Sequence, residues 1–245
     1  MLSFKNPLII ALDVDTIAQA EYYVDILGPY AGGFKVGMQL YNSVGPEAVR
    51  RLREKKVPVF VDLKLHDIPN TVAGAARALT RHGANILNVH AAGGAAMMAA
   101  AVNASCDEAA RAGSKPPLVT AVTVLTSVSQ DVFNKEIGIT GAIREQVVKW
   151  ALLAKEAGLD GVVASPLEIT PIREACGEEF VIITPGVRPA GTAADDQKRT
   201  MTPGEAVSLG ATYLVVGRPV TAAPDPLKSL HAILDEINVS PTSDS

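Results

Sequence analysis

The run Phe60-Val61-Asp62-Leu63-Lys64-Leu65-His66-Asp67 interleaves carboxylates and an ammonium with apolar residues. Side chains on a strand alternate between faces with period two. If Val59, Val61 and Leu63 turn one way, Asp62 and Lys64 turn together the other way. The same parity turns Lys35 away from Phe34 and Val36, and places Asp13 on the face of Ile9 and Ala11. Two lysines and two aspartates from three strand-like runs are thus expected to converge, with Asp67 just beyond on a loop.

Such charges are costly to desolvate unless paired. A purely structural ion-pair network is the plain alternative to a reactive site. A lysine held among carboxylates keeps its ammonium form, which suits neither a free-amine nucleophile nor a Schiff base. It does suit an electrostatic stabiliser and proton donor. A carbanion formed beside Lys64 would be stabilised and then protonated by it, while Asp62 would repel a substrate carboxylate and favour its loss. One ion pair at about 4 Å contributes roughly 4 kcal/mol at an effective dielectric near 20. Difficult reactions need up to about 23 kcal/mol. The remainder must come from preorganisation and from binding energy at a remote part of the substrate.

A remote handle is visible. One run ends Val216-Gly217-Arg218-Pro219, and another leads through Thr184-Pro185-Gly186-Val187-Arg188 into a loop at 189–200 that contains Gln197. A glycine and arginines beside a long loop suit a phosphate grip under a lid.

The elements that must position these groups are eight short runs rich in β-branched residues, at 8–13, 33–37, 57–64, 85–90, 118–124, 161–164, 180–184 and 213–216. Most are continuously apolar, as strands of a buried parallel sheet are. Between them lie helical patterns at 16–27, 46–55, 71–82, 95–112, 142–157, 166–175, 203–209 and 226–237. Gly83, Gly113, Gly158 and Gly210 follow four of these, where a left-handed C-cap favours glycine. Eight strand–helix alternations predict an α/β fold, a single (β/α)8 TIM barrel over 1–245, whose chemistry sits at the carboxyl ends of the strands. A doubly wound open sheet would show a GxGxxG fingerprint after a strand, and none is found.

The chain has 245 residues, 48% of them hydrophobic and 20% charged, which fits one folded barrel and excludes general disorder. Aromatics are only 4%, so aliphatic residues build the core. The net charge of −4, without a basic stripe, argues against nucleic acid. No run approaches the ~20 apolar residues of a membrane span. Cys106 and Cys176 show no metal-binding or CxxC spacing and suit a cytoplasmic protein. The polar tail at about 239–245 is expected to fray.

These residues carry a resemblance. The chain resembles the bacterial-type orotidine 5'-phosphate decarboxylases from about Pro7 to about Ile237. The most specific element is Asp62-Leu63-Lys64-Leu65-His66-Asp67-Ile68-Pro69-Asn70-Thr71, which matches the family's DxKxxDIPNT signature. Ala11-Leu12-Asp13, Phe34-Lys35-Val36-Gly37, Asn88-Val89-His90, the run from Val122 to Ser127, Thr184 to Arg188, and Val216 to Pro219 support it. The resemblance implies decarboxylation of orotidine 5'-phosphate to UMP in pyrimidine synthesis, with no metal and no organic cofactor. By motif position Lys64 is the proton donor, Asp62 sits against the departing carboxylate, and Lys35 and Asp67 complete the charge network. Asp13 and Lys35 meet the ribose, Thr126 the pyrimidine, and Arg188, Gln197, Gly217 and Arg218 the phosphate. It also implies a homodimer with sites at the interface, Asp67 and Thr71 reaching the neighbour's site.

Plainer readings stand beside these. His66 and His90 with Asp62 and Asp67 have metal-ligand types, but Lys64 would put a cation among the ligands. His90 is expected to pack or hydrogen-bond inside the barrel, Asn88 either to orient the array or to serve structure alone, and Thr71 to help start a helix. The alternatives for function are a sugar-phosphate decarboxylase or lyase of the same barrel superfamily, using Mg²⁺, a Schiff-base aldolase, and an inactive phosphate-binding barrel.

Overall fold

The structure, a computed structural model, describes residues 4–188 and 201–238. In chain order the elements are β1 (Leu8–Ala11), α1 (Ile17–Leu27), β2 (Gly33–Gly37), α2 (Met38–Val44), α3 (Glu47–Glu54), β3 (Val59–Leu65), α4 (Pro69–Arg81), β4 (Ile86–His90), α5 (Gly94–Arg111), β5 (Leu118–Val122), α6 (Gln130–Lys135), α7 (Ile143–Glu156), β6 (Gly161–Val163), α8 (Ile169–Cys176), β7 (Val181–Pro185), α9 (Pro203–Ser208), β8 (Tyr213–Val216), α10 (Arg218–Thr221) and α11 (Pro226–Asn238). The strands pair in parallel in the order β1 to β8, and β8 returns to β1 through Leu8↔Leu214 and Ile9↔Val215. The chain is a (β/α)8 TIM barrel, as its alternation predicts.

Strand parity divides the core into two clusters. Leu8, Ile10, Phe34, Val36, Val59, Val61, Leu87 and Val89 belong to the cluster that meets the helices. Ile9, Ala11, Phe60, Ile86, Val122, Val163, Ile183 and Val215 form the filling of the barrel. Each large aliphatic so buried contributes about 1.5–3 kcal/mol, so both faces of the strands are mainly apolar, with Thr120 on β5, Asn88 on β4 and Thr184 on β7 among the buried polar exceptions. Gly83, Gly113, Gly158 and Gly210 all have positive φ, between +61° and +102°, directly after helix C-caps.

Beside the one-turn α10, two helices escape the sequence pattern, α2 and α6. Each is under two turns, too short for a 3.6-residue period to register. The expected strand at 118–124 ends at Val122, and the helix at 166–175 begins as a 3₁₀ turn at Pro166–Glu168. The expected fraying tail at about 239–245 lies outside the described residues. Among the described residues, no helix is long and apolar enough to cross a membrane.

Candidate active site

The largest departure from regular alternation falls at the most charged strand. β3 pairs β4 through Val61↔Leu87 and then Leu65↔Val89, so four steps along β3 match two along β4. Lys64 lies in this irregularity with φ +53°, a left-handed conformation that costs a non-glycine residue about 1–3 kcal/mol. The expectation of simple period-two geometry through Lys64 is therefore corrected: the ammonium faces the cavity by way of a bulge. Asn88 on β4 holds it there, since its Oδ1 accepts the Lys64 backbone N–H at 2.8 Å.

The charges form a continuous chain. Lys64 Nζ donates to Asp62 Oδ1 at 2.7 Å, Lys35 Nζ lies 3.3 Å from Asp62 Oδ2, and Lys35 Nζ lies 3.3 Å from Asp13 Oδ1. Side-chain exposure is 10% for Lys35 and 13% for Asp62, against 27% for Lys64 and 52% for Asp13, so the central pair is desolvated and its neighbours open to solvent. Burial pushes the Asp62 carboxyl up, but Lys35, Lys64 and a hydrogen bond from Asn88 outweigh it and hold the group below the usual carboxylate range. Burial likewise pulls Lys35 down, and Asp62 with Asp13 overcomes it, leaving Lys35 above the ordinary lysine value.

Asp13, Lys35, Asp62 and Lys64 line one cavity of about 320 Å³ at the carboxyl ends of the strands, within the size range of small-molecule sites. Its floor is apolar, from Ala11, Phe60, Val122, Val163 and Val215. Thr126 lines it from the loop after β5, with Ser127, which the sequence reading did not single out. Arg188, Gly217 and Arg218 line the side fed by β7 and β8, beside Pro185 and Gly186. The Arg188 side chain is buried, and its backbone N–H donates to Met201 O at 2.9 Å, next to the bridge Val187↔Met201. A Cβ at Gly217 would stand 3.4 Å from Ala11 Cβ and 3.6 Å from Asp13 Oδ2, at ordinary contact distance in the wall of the cavity. Gln197 and the expected lid at 189–200 lie outside the described residues.

Two expected site residues are not brought into this cavity. Asp67 is exposed and its Oδ1 accepts the Ile68 N–H at 2.6 Å. Thr71 is exposed on the first turn of α4. Both follow β3 in the chain and are absent from the cavity lining. His90 differs from expectation too. It packs at the barrel rim rather than inside, stacked on His66 with ring centroids 5.3 Å apart and edge-on to Trp150 of α7. It caps the 3₁₀ turn at Ala91–Gly93 by accepting the Ala92 N–H on Nδ1 at 3.2 Å. Burial first, then His66 and Lys64, lowers its pKa. Among the described residues, no group of three His, Cys, Asp or Glu side chains could hold a metal ion.

Comparison with known proteins agrees with this geometry. The family model described as orotidine 5'-phosphate decarboxylase / HUMPS matches residues 6–233. The orotidine 5'-phosphate decarboxylase of Moorella thermoacetica is 59% identical over 96% of this chain and 93% of its own length. That of Heliobacterium modesticaldum is 52% identical over 95% and 96%. The crystal structure of orotidine 5'-phosphate decarboxylase from Lactobacillus acidophilus superposes with a TM-score of 0.84 at 39% identity, over 96% of this chain and 100% of that one. A fold with its charged chain at the mouth of the barrel, matched along nearly its whole length, places this chain in the orotidine 5'-phosphate decarboxylase / HUMPS family.

Proposed function

We propose that this chain decarboxylates orotidine 5'-phosphate to UMP by electrostatic stabilisation of a C6 carbanion. The observation that carries the reading is the chain Asp13–Lys35–Asp62–Lys64 along a single cavity wall. The substrate carboxylate sits against Asp62, which Lys35 and Lys64 keep anionic. The bond between C6 and the carboxylate carbon breaks, CO₂ departs, and the electron pair stays on C6. The Lys64 ammonium stabilises that pair and passes its proton to C6, then regains a proton from solvent. Repulsion between Asp62 and the substrate carboxylate is relieved as CO₂ leaves, while attraction between Lys64 and the carbanion grows. The interaction is thus stronger in the transition state than with the bound substrate, as acceleration requires.

The other contacts fix the pyrimidine and the remote handle. Asp13 and Lys35 take the ribose hydroxyls, Thr126 the base, and Arg188, Gly217 and Arg218 the phosphate, with Gln197 assigned to the same grip. No cofactor is assigned, because the resident charges supply the stabilisation. We assign a homodimer as the working form. Asp67 and Thr71 lie outside their own cavity on the exposed segment with Ile68, a residue 67% exposed, which fits a contribution to a neighbour's site. The free thiols Cys106 and Cys176 fit a cytoplasmic setting.

Orotidine 5'-phosphate absorbance, followed with purified protein before and after EDTA, tests the function. Turnover unaffected by chelation is expected. No turnover overturns the reading, and loss on chelation overturns its metal-free part. Arg218→Ala is expected to damage turnover of the phosphorylated substrate far more than that of the bare nucleoside. Equal losses on both dismiss the phosphate assignment.

A further inference from the structure

We infer that Asn88 is a positioning residue for the reaction: one side-chain amide fixes the backbone of the proton donor at one end and the carboxylate that aims it at the other. The inference rests on the decarboxylase reading of this same site.

Asn88 is 1% exposed and lies on β4, beside the irregular stretch of β3. Its Oδ1 accepts the Lys64 N–H at 2.8 Å, and its Nδ2 donates to Asp62 Oδ1 at 2.7 Å. That same Asp62 oxygen receives the Lys64 ammonium at 2.7 Å. Lys64 is therefore held twice by one residue, directly at its backbone nitrogen and through Asp62 at Nζ. The backbone contact matters because Lys64 is at φ +53°. The bulge takes its N–H out of the regular ladder, and a buried donor without a partner costs about 1–3 kcal/mol.

Only a short neutral amide meets both demands, since it carries an acceptor and donors on one planar group. An aspartate would keep the acceptor but set a second anion against Asp62, and an alanine would remove both bonds. Asn88 does not line the cavity, so it acts through its neighbours and not on the substrate. The groups facing Asp62 are Lys35 from β2, Lys64 from β3 itself and Asn88 from β4. Asp13, after β1, lies beyond Lys35, and His90 follows on β4 toward Lys64.

The test compares wild type, Asn88→Ala and Asn88→Asp by steady-state kinetics on orotidine 5'-phosphate across pH, with thermal melts to establish folding. For Asn88→Ala, kcat is expected to fall roughly ten- to a hundredfold while KM stays within about threefold, because the phosphate and ribose contacts are untouched. The acid limb of kcat/KM that Asp62 sets, which in wild type lies below that of the substrate phosphate, is expected to move to higher pH, since Asp62 loses a donor that favours its anion. Asn88→Asp is expected to move that limb further, through like-charge repulsion, in a side chain of the same shape, and it carries the comparison should Asn88→Ala not fold. A folded variant with wild-type kcat, or one whose kcat falls with the limb unmoved, overturns the inference. So does failure of both variants to fold, which would make Asn88 a scaffold residue. A wild type without turnover overturns the decarboxylase reading and this inference with it, whereas an active wild type beside unaltered variants overturns this inference alone.

Discussion

At the scale of single residues, the site separates charge that must be fixed from charge that must move. Lys35 and Asp62 are the buried pair, each holding the other ionised against desolvation. The Asp62 pKa is depressed, so its anion is present above the ordinary carboxylate value and is lost only as pH falls through the lower value in the folded protein. The Lys35 pKa is raised, so its cation persists until pH rises through a value above the ordinary lysine one. Neither group should add a limb to kcat/KM of the free enzyme between about pH 5 and 9. A limb in that window should track the second ionisation of the substrate phosphate, followed by its own phosphorus NMR titration, and a limb elsewhere in the window would sink the assignment. In the proposed reaction Lys64 is the moving charge. Lys64→Ala is expected to lower kcat by roughly a hundred- to ten-thousandfold, the usual worth of a positioned proton donor. Calorimetric affinity for UMP should weaken much less, and wild-type-like turnover would refute its role.

At the scale of elements, close approach between strands decides which substitutions the barrel accepts. Gly161 on β6 is paired with Val181 on β7. A Cβ at position 161 would stand 2.0 Å from the Val181 carbonyl oxygen, a backbone atom that cannot swing aside. Gly161→Ala should force β6 and β7 apart at a cost of about 1–3 kcal/mol or more. That corresponds to a melting temperature lower by about 2–4 °C per kcal/mol for a chain of this size. Calorimetry measures it, and an unchanged melting temperature would contradict the packing described. Gly74 on α4, where a Cβ would meet nothing within 4 Å, is the control, expected to tolerate alanine without loss.

At the scale of the whole molecule, the proposed dimer turns on Asp67. One chain gathers Asp13, Lys35, Asp62 and Lys64 in its cavity but leaves Asp67 exposed outside it. If Asp67 serves the neighbour's site in a homodimer, Lys64→Ala and Asp67→Ala chains, each inactive alone, should complement when mixed. Half the dimers would be mixed, each with one intact site of two, restoring about a quarter of wild-type activity after subunit exchange. Sedimentation should show the dimer directly. Absence of complementation in a sedimenting dimer would place Asp67 outside the site, and a monomer at assay concentration would remove the interface altogether.

The sequence by itself determined the barrel and the charged groups that converge at its mouth, because both are written in local periodicity. Short, continuous β-branched runs alternating with helical patterns read as strands buried on two faces, and a charge among them stands out against the apolar residues at every other position. Lys35, Asp62 and Lys64 were legible for that reason, as was the glycine after each of four helices. The short helices α2 and α6 were not, being too brief to show a period. Only the tertiary structure decided how Lys64 faces inward, since the register shift against β4 and the Asn88 clamp depend on a strand more than twenty residues away. It also decided that His90 stacks at the rim and that Asp67 stands apart from its own cavity. Spacing tells which residues share a face, whereas distance, desolvation and pairing across strands arise only when the sheet closes.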